Sequence, residues 1–147
     1  MPGMSIPTPS EAAQRIVQVF EQLRSDRLDT LAQIYAAQAT FADPFTRVQG
    51  LAAITGQFAH MYARLHAPRF AVREAVAQGD VVWLTWEFHF AWRAGGAAHC
   101  IDGASRLQLD AQGRIASHRD YWDACAFYAT LPLLGAVVRA FRRAAGP

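Results

Sequence analysis

The sequence predicts an α+β domain, with helices packed on one face of an antiparallel sheet. Three observations carry this. Apolar residues recur at helical spacing in the first third of the chain. Long alternating rows separated by glycine-containing turns fill the rest. No internal repeat or low-complexity linker interrupts either part. Residues 1–10 read as a flexible tail, 11–128 as the domain, and 129–147 as a helical extension of it.

The elements follow in order. Ser10 before Glu11 reads as an N-cap, and Ile16, Val19, Phe20 and Leu23 then recur on one helical face. Ser25-Asp26-Arg27 breaks that helix. A short second helix is expected, with Leu28, Leu31, Ile34 and Tyr35 on one side. Residues 39–44 are extended, because Pro44 disfavours helix at Asp43. Gly50 ends a loop. Leu51 to Leu65 is a third helix, with Ile54, Phe58, Met61 and Leu65 facing inward. Strands are expected at 70–77, 81–92, 99–109 and 114–122. Gly79, Gly95-Gly96 and Gly113 mark the turns between them. A short segment at 124–128 and a helix around 132–144 complete the chain.

Composition narrows the function classes. The net charge is +2, and every basic residue is arginine, scattered except at the C-terminus. No basic stripe for nucleic acid is present. No apolar run reaches the roughly 18 residues of a membrane span. The first ten residues lack a basic region followed by an apolar one, so cytoplasm is the expected compartment. Cys100 and Cys125 are expected to be free thiols. Ligand-type side chains show no helical i, i+4 pair with a third nearby. Neither a metal site nor a cofactor is therefore expected.

Strand parity sorts the side chains. On the last strand His118, Asp120 and Trp122 share one face. On the long strand Leu84, Trp86, Phe88, Phe90 and Trp92 form a row that should face the helices. Trp83, Thr85, Glu87 and His89 then face outward. The matching inner row of the next strand includes Gly103 and Ser105. Small residues beside large aromatics can leave a hollow. Trp83 on the outer row points to a homodimer through that face. The arginine-rich tail helix is expected over the pocket mouth or on a partner subunit, with a membrane surface as the alternative.

Phe41-Ala42-Asp43-Pro44, Gly50 with Ile54, Asp110 with Gly113-Arg114-Ile115, and Tyr121-Trp122 together resemble the nuclear transport factor 2-like superfamily. That group includes SnoaL-like cyclases, ketosteroid isomerases and limonene epoxide hydrolases. The resemblance runs from about Glu11 to Tyr128. It implies a cone-shaped curved antiparallel sheet, three N-terminal helices enclosing a pocket, and dimers through the sheet. It also implies that Asp43 matches the isomerases' general base, Trp122 an aromatic of their pocket wall, and Asp120 the final-strand aspartate of the hydrolases. Two isomerase positions depart from the pattern. The first-helix tyrosine is replaced by Val19 or Phe20, and the protonated strand aspartate by Ser105.

The expected site therefore has Asp43, His118 and Asp120 as catalytic groups. Phe20, Phe58, Trp86, Phe88, Phe90, Ser105 and Trp122 form the ligand wall. The expected function is binding of a small hydrophobic, cyclic ligand with cofactor-free proton transfer of isomerase, cyclase or dehydratase type. The alternative is a non-catalytic binding module of the same fold, in which Asp43 only caps its turn.

Overall fold

The computed structural model describes residues 8–146. Helix α1 spans Pro9–Glu21 and is capped two residues earlier than expected. Thr8 is the N-cap, and it forms a reciprocal capping box with Glu11. Its apolar stripe of Ala12, Ile16, Val19 and Phe20 is buried, and the helix lies across the sheet. The expected second helix is only a 3-10 helix, Leu28–Gln33. Tyr35 leaves it and opens strand β1, Tyr35–Ala42. The short strand β2, Arg47–Gln49, occupies what reads as loop. Helix α2 is Leu51–Arg64, with Ile54, Phe58 and Tyr62 buried.

Four long strands follow: β3 (His66–Gln78), β4 (Val81–Ala91), β5 (His99–Leu109) and β6 (Ile115–Trp122). The strand order is β2-β1-β6-β5-β4-β3. Here the structure corrects the sequence expectation of a cone-shaped antiparallel sheet. β1 runs parallel to β6, pairing Tyr35 with Ile115 and Phe41 with His118, so the sheet is mixed. It is also open, with β2 and β3 as its edges. The alternation seen from Phe70 onward describes only the antiparallel meander. The parallel pair joins segments some eighty residues apart, which local periodicity does not encode.

The inner face follows the parity reading. Val82, Leu84, Trp86, Phe88 and Phe90 on β4 are buried, as are Ile101, Ser105, Leu107 and Leu109 on β5. Trp83, Thr85, Glu87 and His89 lie on the other face. Gly103 differs from its expected role as empty space. It pairs with Trp86 on one side and Trp122 on the other, and the Trp86 ring fills the volume a side chain would take.

Two helices end the described chain, α3 (Ala124–Tyr128) and α4 (Pro132–Ala145). Asp123 caps α3 through the Cys125 amide and receives Arg142 from α4 at 2.8 Å. Arg139 donates to the Ala129 carbonyl, and Gly135 lets α4 approach that same carbonyl. α4 therefore packs on α3, not over the pocket, and its Leu133, Val137 and Phe141 are exposed. No helix among the described residues is long and apolar enough to cross a membrane.

Candidate active site

β6 supplies the polar centre. Its alternation turns His118 and Asp120 to the helix side, and cross-strand register sets Asp120 opposite Ser105 and His118 opposite Leu107 and Phe41. His118 is 4% exposed. A hydrogen-bonded chain runs through it. Trp86 Nε1 donates to Ser105 Oγ at 2.8 Å, and Ser105 Oγ donates to Asp120 Oδ1 at 2.5 Å. His118 Nε2 lies 2.6 Å from the same Oδ1, and His118 Nδ1 lies 2.6 Å from the Tyr35 hydroxyl.

Indole N–H can only donate, so the serine proton is free for Asp120. Burial raises the Tyr35 phenol well above its ordinary range, with the charge of Asp120 adding to the effect. Tyr35 therefore stays neutral and its hydroxyl partners Nδ1, while the Nε2–H is directed at the Asp120 carboxylate. Both donor arms end on Oδ1. Among the described residues Oδ2 takes no hydrogen bond, and Asp120 lines the main cavity. Phe20 and Phe41 meet the imidazole edge to face at 5.8 and 4.8 Å, and the Tyr35 ring lies nearly parallel to it, 9° apart, joined through its hydroxyl. The ring is thus fixed in orientation.

Asp43 arrives from the end of β1. Its Oδ1 accepts the amides of Phe45 and Thr46, both at 2.8 Å, which ties the turn at Pro44. The turn-capping role and the cavity-lining position coexist, because Asp43 also borders the main cavity. Burial raises its carboxyl above the ordinary aspartate value. The two amide bonds oppose this, the charge of Asp120 adds to it, and His118 works against it.

The main cavity holds about 420 Å³, the size of a small-ligand pocket. Of the expected residues, Asp43, Asp120, Phe58, Trp86, Phe88 and Trp122 line it. Phe20, Ser105 and His118 instead line a small adjoining pocket of about 20 Å³, which Asp120, Phe58 and Trp86 also border. The expectation that His118 lines the same cavity as Asp43 is corrected: it stands behind Asp120. Phe90 lines neither pocket and packs on Phe88, Trp92 and Phe127 in the core. Of the three expected N-terminal helices, only α2 borders the main cavity, through Gln57, Phe58, His60, Met61 and Arg64.

Sequence reasoning missed several of these groups. Tyr35 reads as an apolar helix position and is in fact the outer end of the hydrogen-bonded chain. His60 is exposed and at the same time borders the cavity, with Arg64, along the C-terminal half of α2. Phe127 from α3 and Trp92 complete the wall. Trp92 Nε1 donates to Thr130 Oγ1 at 3.0 Å, which ties that wall to the segment after α3. Away from the cavity, Glu87, His89 and Cys100 bring three metal-type donor atoms within 4.8 Å of one another on the outer face.

A mixed sheet covered on one side by helices, with an aromatic cavity and two carboxyls on its wall, defines a ligand-pocket protein of the α+β class. Comparison with known proteins agrees. The SnoaL-like domain family matches residues 16–118, so the chain belongs to that family, within the nuclear transport factor 2-like superfamily. No curated protein matches the chain.

Solved structures share the fold. One is a protein from Catenulispora acidiphila with a ketosteroid isomerase-like fold, in complex with trimethylamine. It is 21% identical, with a TM-score of 0.70 over 85% of this chain and 96% of that one. An LEH-like epoxide hydrolase from M. tuberculosis is 20% identical, with a TM-score of 0.71 over 92% and 98%. TerC, crystallised with polyporic acid, is 21% identical, with a TM-score of 0.69 over 82% and 96%.

Proposed function

We propose that the protein binds a small hydrophobic, cyclic molecule in the aromatic cavity and catalyses proton transfer on it without a cofactor. The observation that carries this is the pair Asp43 and Asp120. Both border an apolar cavity, and each has one oxygen tied by hydrogen bonds and the other left for the ligand. Asp43 Oδ2 is the base. Its raised carboxyl makes it a better proton acceptor than an ordinary aspartate. Asp120 orients the ligand through its free Oδ2, while Ser105 and His118 hold its Oδ1 and so fix the carboxylate in place.

The test is hydrogen–deuterium exchange of cyclic ketones and enones in D2O, followed by NMR. Wild type is expected to accelerate exchange, and Asp43→Asn to slow it by at least about 100-fold while ligand affinity changes little. Asp120→Asn is expected to shift the pH dependence of the rate. If wild type accelerates no member of the panel over buffer, the binding-module reading takes its place. That reading is favoured by the two amide bonds that already give Asp43 a turn-capping role.

Assembly and location belong to the same reading. Trp83 and Tyr121 stack on the outer face at 43% and 46% exposure. A second copy covering them would remove apolar area worth about 25 cal/mol per Å². Sedimentation at micromolar concentration should give a dimer that Trp83→Glu dissociates. A strict monomer in the wild type refutes it. Two free cysteines suit the reducing cytoplasm.

A further inference from the structure

We propose that Glu87, His89 and Cys100 form a site for a borderline-soft divalent cation such as Zn²⁺ on the outer face of the sheet. The site is separate from the aromatic cavity and does not rest on the proposed activity. Antiparallel register creates it. His89 on β4 lies directly opposite Cys100 on β5, and Glu87 lies opposite Asp102. Residues two apart on a strand share a face, so the four side chains form a two-by-two grid.

The donor geometry matches a tetrahedral ion. Zn–S bonds of about 2.3 Å and Zn–N or Zn–O bonds of about 2.0–2.1 Å give tetrahedral edges of about 3.6 Å for N···S and about 3.3 Å for N···O. Here Cys100 Sγ lies 3.8 Å from His89 Nε2, and Glu87 Oε2 lies 3.3 Å from the same nitrogen. All three donors fall within 4.8 Å of one another. The remaining edge, from Glu87 to Cys100, closes by rotation of two side chains that are not buried. Imidazole, thiolate and carboxylate together select Zn²⁺ over the hard ions Mg²⁺ and Ca²⁺. Water fills the fourth position.

Two features act on the site from neighbouring strands. Arg73 on β3 donates to Glu87 Oε2, and Arg69 pairs with His89 across the β3–β4 ladder. The Arg73 guanidinium is exposed, so it can swing off Glu87 and leave Oε2, the oxygen facing His89, to the metal. Binding requires the Cys100 proton to leave, so Zn²⁺ uptake releases acid.

The test uses the full chain stripped with a chelator and titrated with Zn²⁺ or Co²⁺. One equivalent per chain is expected to bind saturably. Cys100→Ser and His89→Gln should each weaken it at least about tenfold, and Cys125→Ser should leave it unchanged. Co²⁺ should give a thiolate-to-metal charge-transfer band that Cys100→Ser abolishes. Zn²⁺ should slow alkylation of Cys100 in the wild-type protein and leave Cys125 unaffected, a readout that needs no variant to fold. Absence of saturable binding, binding that survives Cys100→Ser, or alkylation of Cys100 unchanged by Zn²⁺ would each overturn the proposal.

Discussion

Gly103→Ala tests the centre of the structure with one methyl group. The new Cβ would lie 2.5 Å from Cζ2 and 2.8 Å from Cζ3 of Trp86, and closer still to Cη2, where ordinary contact begins at 3.4 Å. The indole therefore has to retreat by about 1 Å into the cavity it lines, an overpacking cost of about 1–3 kcal/mol. That movement also strains the 2.8 Å bond from Trp86 to Ser105, worth about 1 kcal/mol.

A total of about 2–4 kcal/mol should lower the melting temperature of a chain of this size by on the order of 10 °C, measured by circular dichroism. The two residues must be coupled: in a Trp86→Phe background the smaller ring leaves room, and Gly103→Ala should cost about 1 kcal/mol or less. A drop below about 2 °C in the single variant, or full additivity in the double, would refute the reasoning.

Other outcomes follow from the same geometry. Tyr35→Phe leaves the buried His118 Nδ1 without its partner and should cost about 1–3 kcal/mol in urea unfolding, with the fold retained. Asp43 has a folded-state pKa above its unfolded one, so the folded chain keeps that proton longer. Its contribution is most favourable below the ordinary aspartate value of about 4 and declines as pH rises through the raised one. Asp43→Asn should therefore gain stability relative to wild type as pH increases across that window, measured by denaturation at several pH values. Leu133→Ser and Val137→Ser on the exposed face of α4 should stay within about 0.5 kcal/mol of wild type by the same denaturation assay.

The sequence reveals those parts of the molecule that local pattern controls. Alternation on β4, β5 and β6 sorts Trp86, Ser105, His118 and Asp120 inward and Trp83 and Glu87 outward, because a pleated strand allows no other arrangement. The capping box at Thr8 is also local, although Ser10 competes with it on composition alone. What parity cannot supply is partnership between distant segments. Tyr35 follows a 3-10 turn and carries an apolar pattern, so nothing near it in the chain points to a hydroxyl aimed at His118. The outer cluster is hidden for a related reason. Glu87 and His89 are two apart, a strand spacing, and Cys100 reaches them only through the β4–β5 ladder.

The parallel seam between β1 and β6 ties chemistry to the timing of folding. Tyr35 opens the first strand and Asp43 directly follows it, while His118 and Asp120 come from the last. A chain cut after β5 would hold most of the aromatic wall and none of the imidazole–carboxylate pair. Closing so distant a pair carries a large loop entropy, and such contacts form slowly. As the chain leaves the ribosome, the pocket stays an unfinished apolar surface until β6 docks beside β1. The step that completes the sheet therefore also brings the polar groups to the cavity. Folding intermediates lacking that strand would be greasy and inert, and would depend on chaperones more than the finished protein does.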